Sequence, residues 1–323
     1  MELGVLYDLR NPPGPDRIEP AELYRRTLDH VRACEELGFD VVWLTEHHFI
    51  DDGYLPSVLP LAAAVAAVTS TVTIGTAVLL LPLHDPLRVA EDAAVVDVLS
   101  GGRLRLGLGI GYKVEEFEAF GVDRRRRGRL LEEGIDVLRG AWAPDGTVRG
   151  QRVTPKPVRT DGIPLWLAGR AEVPVRRAAR IADGLIAVGD ETLHQWYLEE
   201  RRALGRSGPA NLCVFALNYP TDDPERAEAE LGRHVAYRAR HYADWYGTAG
   251  DLPGDLEWRA QAAERERVPE TFVTPDRMAE WLRAQQASGV DSVLWFATLP
   301  GAPPEATLPH LESIVHDVAP RLD

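Results

Sequence analysis

At 323 residues and 35.7 kDa, the chain can form one large α/β barrel or two ordinary domains, and its 45% hydrophobic content excludes disorder. A formal charge of −14 argues against nucleic acid or an anionic membrane surface as partner, because both need basic patches. Cys34 and Cys213 lie far apart in apolar or helical runs, so neither a disulfide framework nor a cysteine metal site is expected, and a reducing cytoplasm is the natural setting.

The opening MELGVLYDLR lacks the basic and apolar stretches of a secretion signal. Leu3–Tyr7 is predicted as a short buried strand, followed by a helix over Glu19–Leu37 that Gly38 stops. Asp40–Thr45 is a second apolar strand. No charge occurs from Gly53 to Leu83, long enough for a membrane span, but Pro56, Pro60, Gly75 and Pro82 break the run. It is predicted instead as a buried helix (Val58–Val68) and a strand (Val72–Leu81).

A helix over Leu87–Leu99 and a strand over Arg105–Ile110 come next, then a helix over Arg125–Trp142. Past a looser stretch, Leu165–Ala168 is a strand and Pro174–Ala182 a helix. Strands at Leu185–Val188 and Leu212–Asn218 flank a helix near Leu193–Leu204. Glu225–Arg267 is long, charged and mostly helical; a helix at Thr274–Ala287 and a strand at Ser292–Phe296 follow. About eight continuous apolar strands alternating with helices imply a parallel sheet covered on both faces. Eight such units fit a (β/α)8 TIM barrel, here a single domain over 1–323 with a helical insertion at about 220–270, before the last strand.

In such a barrel, chemistry sits where strands end. Glu46-His47-His48 follows the second strand, and strand alternation would turn His47 away from Glu46 and His48. No metal site is expected, since adjacent histidines on a strand do not converge on one ion and no further His–carboxylate cluster is evident. Gly107, Gly109 and Gly111 miss the dinucleotide fingerprint, because Tyr112 stands where its third glycine belongs. They fit equally a close backbone approach at the end of strand four or simple packing. Gly169, Arg170 and Ala171 run into the helix opened by Pro174; with Arg176 and Arg177 they would make a phosphate cradle, or a plain glycine turn. Arg124–Arg127 is expected chiefly to cap and solvate a helix start. No nucleotide-binding G-x-x-x-x-G-K-[ST] loop and no G-x-S-x-G elbow occur.

The strings GFDVVWLTEHHF, VTIGTAVLLLPLHDPLRVAEDAAVVDVLSGGRLRLGLGIGY, FGVDRRRRGRLLEEGIDVLRGAW, PLWLAGRAEVPVRRAARIADGLI and TPDRMAEWLRAQQASGVDSVLWF, in this order, resemble the bacterial luciferase-like flavin-dependent monooxygenase superfamily. The resemblance implies a barrel that binds reduced FMN, or in some branches the deazaflavin F420, at its C-terminal face. It gives His47 a catalytic role in proton transfer beside the flavin. It places a non-proline cis peptide at Ala77–Val78 and the flavin phosphate at Gly169, Arg170 and Ala171, with Arg176 and Arg177 as further candidates. Glu46 and Gly109 complete the expected cofactor-binding set. One departure is Ile110, where the luciferase branch carries an arginine near the phosphate.

A flavin reductase would supply the reduced cofactor, O2 and a small organic substrate would react in the barrel mouth, and a homodimer is expected. The apolar residues Leu79, Leu80, Leu81 and Trp43 would keep the site dry. The alternatives are F420-dependent hydride transfer and a non-catalytic flavin-binding protein. Tyr237, His241, Tyr242, Trp245 and Tyr246, unusually aromatic for a solvated helix, suggest a substrate lid, or else helix packing or a dimer contact.

Overall fold

The computed structural model describes residues 1–250 and 268–322. Eight parallel strands close into a barrel: β1 (Glu2–Tyr7), β2 (Val41–Leu44), β3 (Thr73–Thr76), β4 (Leu104–Leu108), β5 (Leu165–Ala168), β6 (Gly184–Val188), β7 (Leu212–Ala216) and β8 (Ser292–Phe296). Closure is direct, Val5 of β1 standing opposite Val42 of β2 on one side and Trp295 of β8 on the other. The apolar runs are thus continuous because each strand is buried on both faces. One side packs against helices, while the other fills the barrel with Leu6, Trp43, Trp166, Ile186, Leu294 and Phe296.

The helices are α1 (Pro20–Leu37), α2 (Val58–Val68), α3 (Pro86–Ser100), α4 (Val114–Ala119), α5 (Arg127–Trp142), α6 (Glu172–Ile181), α7 (Glu191–Ala203), α8 (Pro224–Ala249), α9 (Pro275–Ala287) and α10 (Leu308–Ser313). Local chemistry sets their ends. Asp85, Asp190, Asp223 and Thr274 cap the first turns of α3, α7, α8 and α9, and Gly38 leaves α1 at φ 98°. Helix α8 falls in the expected insertion; the rest of that predicted helix, 251–267, lies outside the described residues. Among the described residues no helix is long and apolar enough to cross a membrane.

Two local expectations are corrected. The strand predicted over Val72–Leu81 stops at Thr76. The chain passes through a cis Ala77–Val78 peptide, touches β4 once more at Leu79–Leu108, and tightens into a 3-10 turn over Leu81–Leu83, with Pro82 inside it. Trp43 does not reach the mouth. It is fully buried inside the barrel, 5.8 Å from Trp166, with the Arg105 guanidinium 5.6 Å above its ring. Gly75 makes its room, since a Cβ there would stand 2.2 Å from the indole. Leu79 and Leu81 also belong to the core, and of the expected four only Leu80 faces the mouth.

Candidate active site

A cavity of about 490 Å3 opens at the carboxyl ends of the strands. Every sequence-predicted site residue except Arg176 and Arg177 lines it: Glu46, His47, Ala77, Val78, Gly109, Gly169, Arg170 and Ala171. The barrel brings these together because each follows the end of β2, β3, β4 or β5. Strand β2 ends at Leu44, so period-two alternation no longer governs the next residues. Glu46 and His47 both face the cavity, which corrects the expected opposition of the two.

His47 is nearly enclosed and both ring nitrogens are engaged. Nδ1 lies 2.8 Å from Glu116 Oε1, and Nε2 lies 2.9 Å from the Tyr112 hydroxyl. Glu116 Oε1 also accepts from the His48 backbone N–H at 2.8 Å, and its Oε2 is buried without a partner among the described residues. A buried acceptor-only carboxylate fixes the proton of neutral His47 on Nδ1, leaving Nε2 to accept from Tyr112. Burial, and then the neighbouring Tyr246 and Tyr242, hold the Tyr112 phenol well above its ordinary range, so it stays a donor. Glu116 sits on the short helix α4, which the sequence reading passed over.

Glu46 lines the cavity but spends its oxygens elsewhere. Oε1 is 2.7 Å from both His48 Nε2 and His84 Nε2, and Oε2 accepts from the Leu80 backbone at 3.1 Å. Burial opposes its ionisation, yet the hydrogen bonds from the two histidines win and hold the carboxyl below its usual range. A His–carboxylate cluster therefore exists, completed by His84, contrary to the expectation that none was evident. Both histidine nitrogens are hydrogen-bonded to the same Glu46 oxygen, closer to it than the about 3.3 Å that separates ligands of one tetrahedral ion. Glu46 thus ties the segments after β2 and β3 together.

At the β5 side, Gly169, Arg170 and Ala171 lead into α6, whose N-cap, Ala171, supplies no side-chain acceptor to the first N–H groups. Those donors, the positive helix end and Arg170 suit an anionic group. Arg176 and Arg177 do not join them. Arg176 pairs with Glu172 at 2.8 Å and with Glu200 at 3.3 Å, and Arg177 with Glu132 at 2.6 Å. They stand on the second turn of α6, facing acids of α5, α6 and α7 instead of the mouth. Arg127, from the run expected to be solvated, lines the cavity instead, as does Ile110.

Helix α8 covers the mouth with one face, Val235, Arg238, Ala239, Tyr242 and Tyr246, at the helical spacing of three and four. Tyr246 stacks on Tyr112 at 3.9 Å, Trp245 lies 5.1 Å from the His47 ring, and the Tyr242 and Tyr54 hydroxyls are 2.7 Å apart. The aromatic cluster packs helix against barrel and roofs the cavity in the same stroke.

A family model described as luciferase-like monooxygenase matches residues 1–292. The chain belongs to this family. An uncharacterized protein of Sinorhizobium fredii, y4vJ, is 35% identical over 185 residues, 54% of this chain and 53% of that one; the chain thus matches about half the length of this relative. The oxygenase component of a flavin-dependent trigonelline monooxygenase of Acinetobacter baylyi is 23% identical, with 94% of this chain and 91% of that one aligned. Among solved structures, the monooxygenase RslO1 of Streptomyces bottropensis shares the fold with a TM-score of 0.81 at 23% identity, covering all of both chains. The oxygenating constituent of 3,6-diketocamphane monooxygenase from Pseudomonas putida, in complex with FMN, follows at 0.78 and 17%, covering 100% of this chain and 99% of that one. The F420-dependent tetrahydromethanopterin reductase of Methanopyrus kandleri gives 0.68 and 16%, with the same coverages.

Proposed function

We propose that the chain is the oxygenase component of a two-component system. It takes reduced FMN from a separate reductase and uses O2 to oxygenate a small organic substrate, acting in the cytoplasm as a homodimer. One observation carries this reading: a single cavity joins an anion-binding end at Arg170 and the α6 N-terminus to a histidine poised for proton transfer. Apolar walls at Ala77, Val78, Leu80 and Leu6 suit a flat ring between these ends. The FMN complex of the diketocamphane enzyme and the flavin dependence of the trigonelline enzyme support the same choice of cofactor. Exposed Val95, Val98 and Leu99 on α3 are the apolar face available to a second copy, and the free, buried thiols Cys34 and Cys213 suit a reducing compartment.

Bound reduced flavin would supply two electrons to dioxygen, one oxygen atom going to substrate and the other to water. This chain's residues do the rest. Glu116 keeps the His47 proton on Nδ1, so Nε2 can take up a proton and return it through the Tyr112 hydroxyl. Tyr242, Trp245 and Tyr246 exclude water above that pair, and Arg127 and Arg170 compensate phosphate charge where Ile110 cannot.

That isoleucine favours a second reading, hydride transfer with F420. An anaerobic titration with reduced FMN and reduced F420, side by side, decides. Tight binding of FMN, with product formed on admitting O2, upholds the oxygenase. Preference for F420 replaces it, and tight oxidised flavin without turnover makes the chain a flavin carrier.

A further inference from the structure

Arg238 is a buried cation that the proposed chemistry does not use. Its residue exposure is 4%, yet it lines the cavity. Its guanidinium lies 4.0 Å from the centre of the Phe296 ring, and Nη1 makes one long hydrogen bond, 3.4 Å, to the Tyr219 hydroxyl. Among the described residues it forms no ion pair within 4.0 Å. Asp8, which feels its charge, is beyond that distance, and its Oδ1 accepts from the Arg10 backbone. Arg10, the other buried arginine nearby, differs in having its own carboxylate, Asp52, at 2.7 Å.

The guanidinium is buried but for the edge it turns to the cavity, so the donors not given to the weak Tyr219 acceptor face the space a ligand would fill, where an anion would complete them. The phosphate end does not meet this need. Arg170 follows β5, whereas Phe296 ends β8, three strands round the barrel, and Phe296 pairs with Leu6 of β1, four strands from β5. Helix α8 spans the distance between them. Arg238 lies two turns before Tyr246, the ring on which Arg170 rests at 5.3 Å, or about 12 Å along the helix. Around Arg238 the lining is apolar: Leu6, Phe215, Leu217, Val235 and Phe296.

We propose that the substrate of this site is an apolar carboxylic acid, its carboxylate held by Arg238 and its body laid against Leu6, Phe215, Leu217 and Phe296. This rests on the oxygenase reading for its chemistry, though not for its binding. A planar carboxylate matches the guanidinium fork with two parallel hydrogen bonds. It would place the distal carbons toward Tyr242 and His47, on the same α8 face and across the cavity. Tyr219, which donates to the Phe296 carbonyl at 2.9 Å, is a positioning residue for the arginine.

Calorimetric titration with phenylacetate, cyclohexanecarboxylate and hexanoate, each beside its primary amide, tests this with and without FMN. The acids should bind at least about tenfold more tightly than the amides. Arg238→Gln should erase the preference, and Arg238→Lys should keep part of it. Equal binding of acid and amide, binding of no acid, or a preference that survives in Arg238→Gln overturns the assignment. Tighter binding of phenylmethanesulfonate than of phenylacetate overturns the choice of carboxylate. The wild-type acid–amide comparison needs no variant to fold. FMN affinity, measured separately, distinguishes the two failures: a protein that prefers acids but ignores FMN loses the oxygenase reading and keeps this one.

Discussion

Glu116 Oε1 stands 2.8 Å from His47 Nδ1 and, on the same oxygen, 2.8 Å from the His48 backbone nitrogen. One buried carboxylate thereby fixes both the ring orientation and the tautomer of the proposed proton carrier. Glu116→Gln keeps the volume but presents an amide that can donate to Nδ1 and move the proton to Nε2. Product formed per flavin oxidised should fall on the order of 100-fold, with FMN affinity unchanged and the pH profile of product formation displaced. A variant with wild-type coupling at every pH would remove Glu116 from the mechanism.

Arg170, just before α6, and Arg176, on its second turn, face different surroundings. Arg170 lines the cavity, while Arg176 is committed to Glu172, Glu199 and Glu200. Arg170→Gln should weaken FMN binding by about tenfold or more, and leave riboflavin, which lacks the phosphate, nearly unaffected. Arg176→Gln should change neither affinity. Equal losses of FMN in both variants would mean that the phosphate sits elsewhere.

The barrel was legible because its strands are continuous apolar runs and its helices carry their own caps, as at Asp85, Gly38 and Thr274. Those are local signals. The site was legible where it hangs on strand ends, at Glu46, His47 and Gly169, while Ala77 came only from the family resemblance. Glu116 escaped because its contact with His47 spans 69 positions and nothing local in KVEEFEA announces it. Arg176 was misassigned since a run of arginines does not show which face of α6 meets acids. The rings of α8 could be counted in the sequence, but only the fold shows Tyr246 stacked on Tyr112. The end of β3 was missed for the same reason, since only the fold shows that its ladder with β4 stops after Ile74–Leu104 and Gly75–Arg105 and resumes only in the single bridge Leu79–Leu108.

Inside the barrel, Trp43 occupies the space that Gly75 leaves open. A Cβ on Gly75 would lie 2.2 Å from Cε3 and 2.5 Å from Cζ3 of an indole that is fully buried. The ring is held by Trp166 and Arg105 and has nowhere to swing. Gly75→Ala should therefore destabilise the protein by about 1–3 kcal/mol, the usual range for an overpacked core. Chemical denaturation measures it; an unchanged midpoint would show that the interior yields more than its packing implies.

His30 gives the acid limb of stability. It is buried on α1, its Nδ1 2.8 Å from the Tyr7 hydroxyl and its Nε2 without a partner among the described residues. Burial pushes its pKa down from 6.5 to about 4, so the folded state resists a proton that the unfolded chain accepts. The stability tied to neutral His30 is full above pH 6.5 and is lost as the pH falls from there towards 4. At about 1.4 kcal/mol per pH unit, the loss by pH 5 is about 2 kcal/mol. His30→Gln carries no titrating group, and its side chain can still meet Tyr7. It should be less stable than the wild type at pH 7.5, yet the gap should narrow by about that amount at pH 5, read from urea denaturation at the two pH values. A gap independent of pH would mean that His30 is protonated in the folded protein, or that water reaches Nε2.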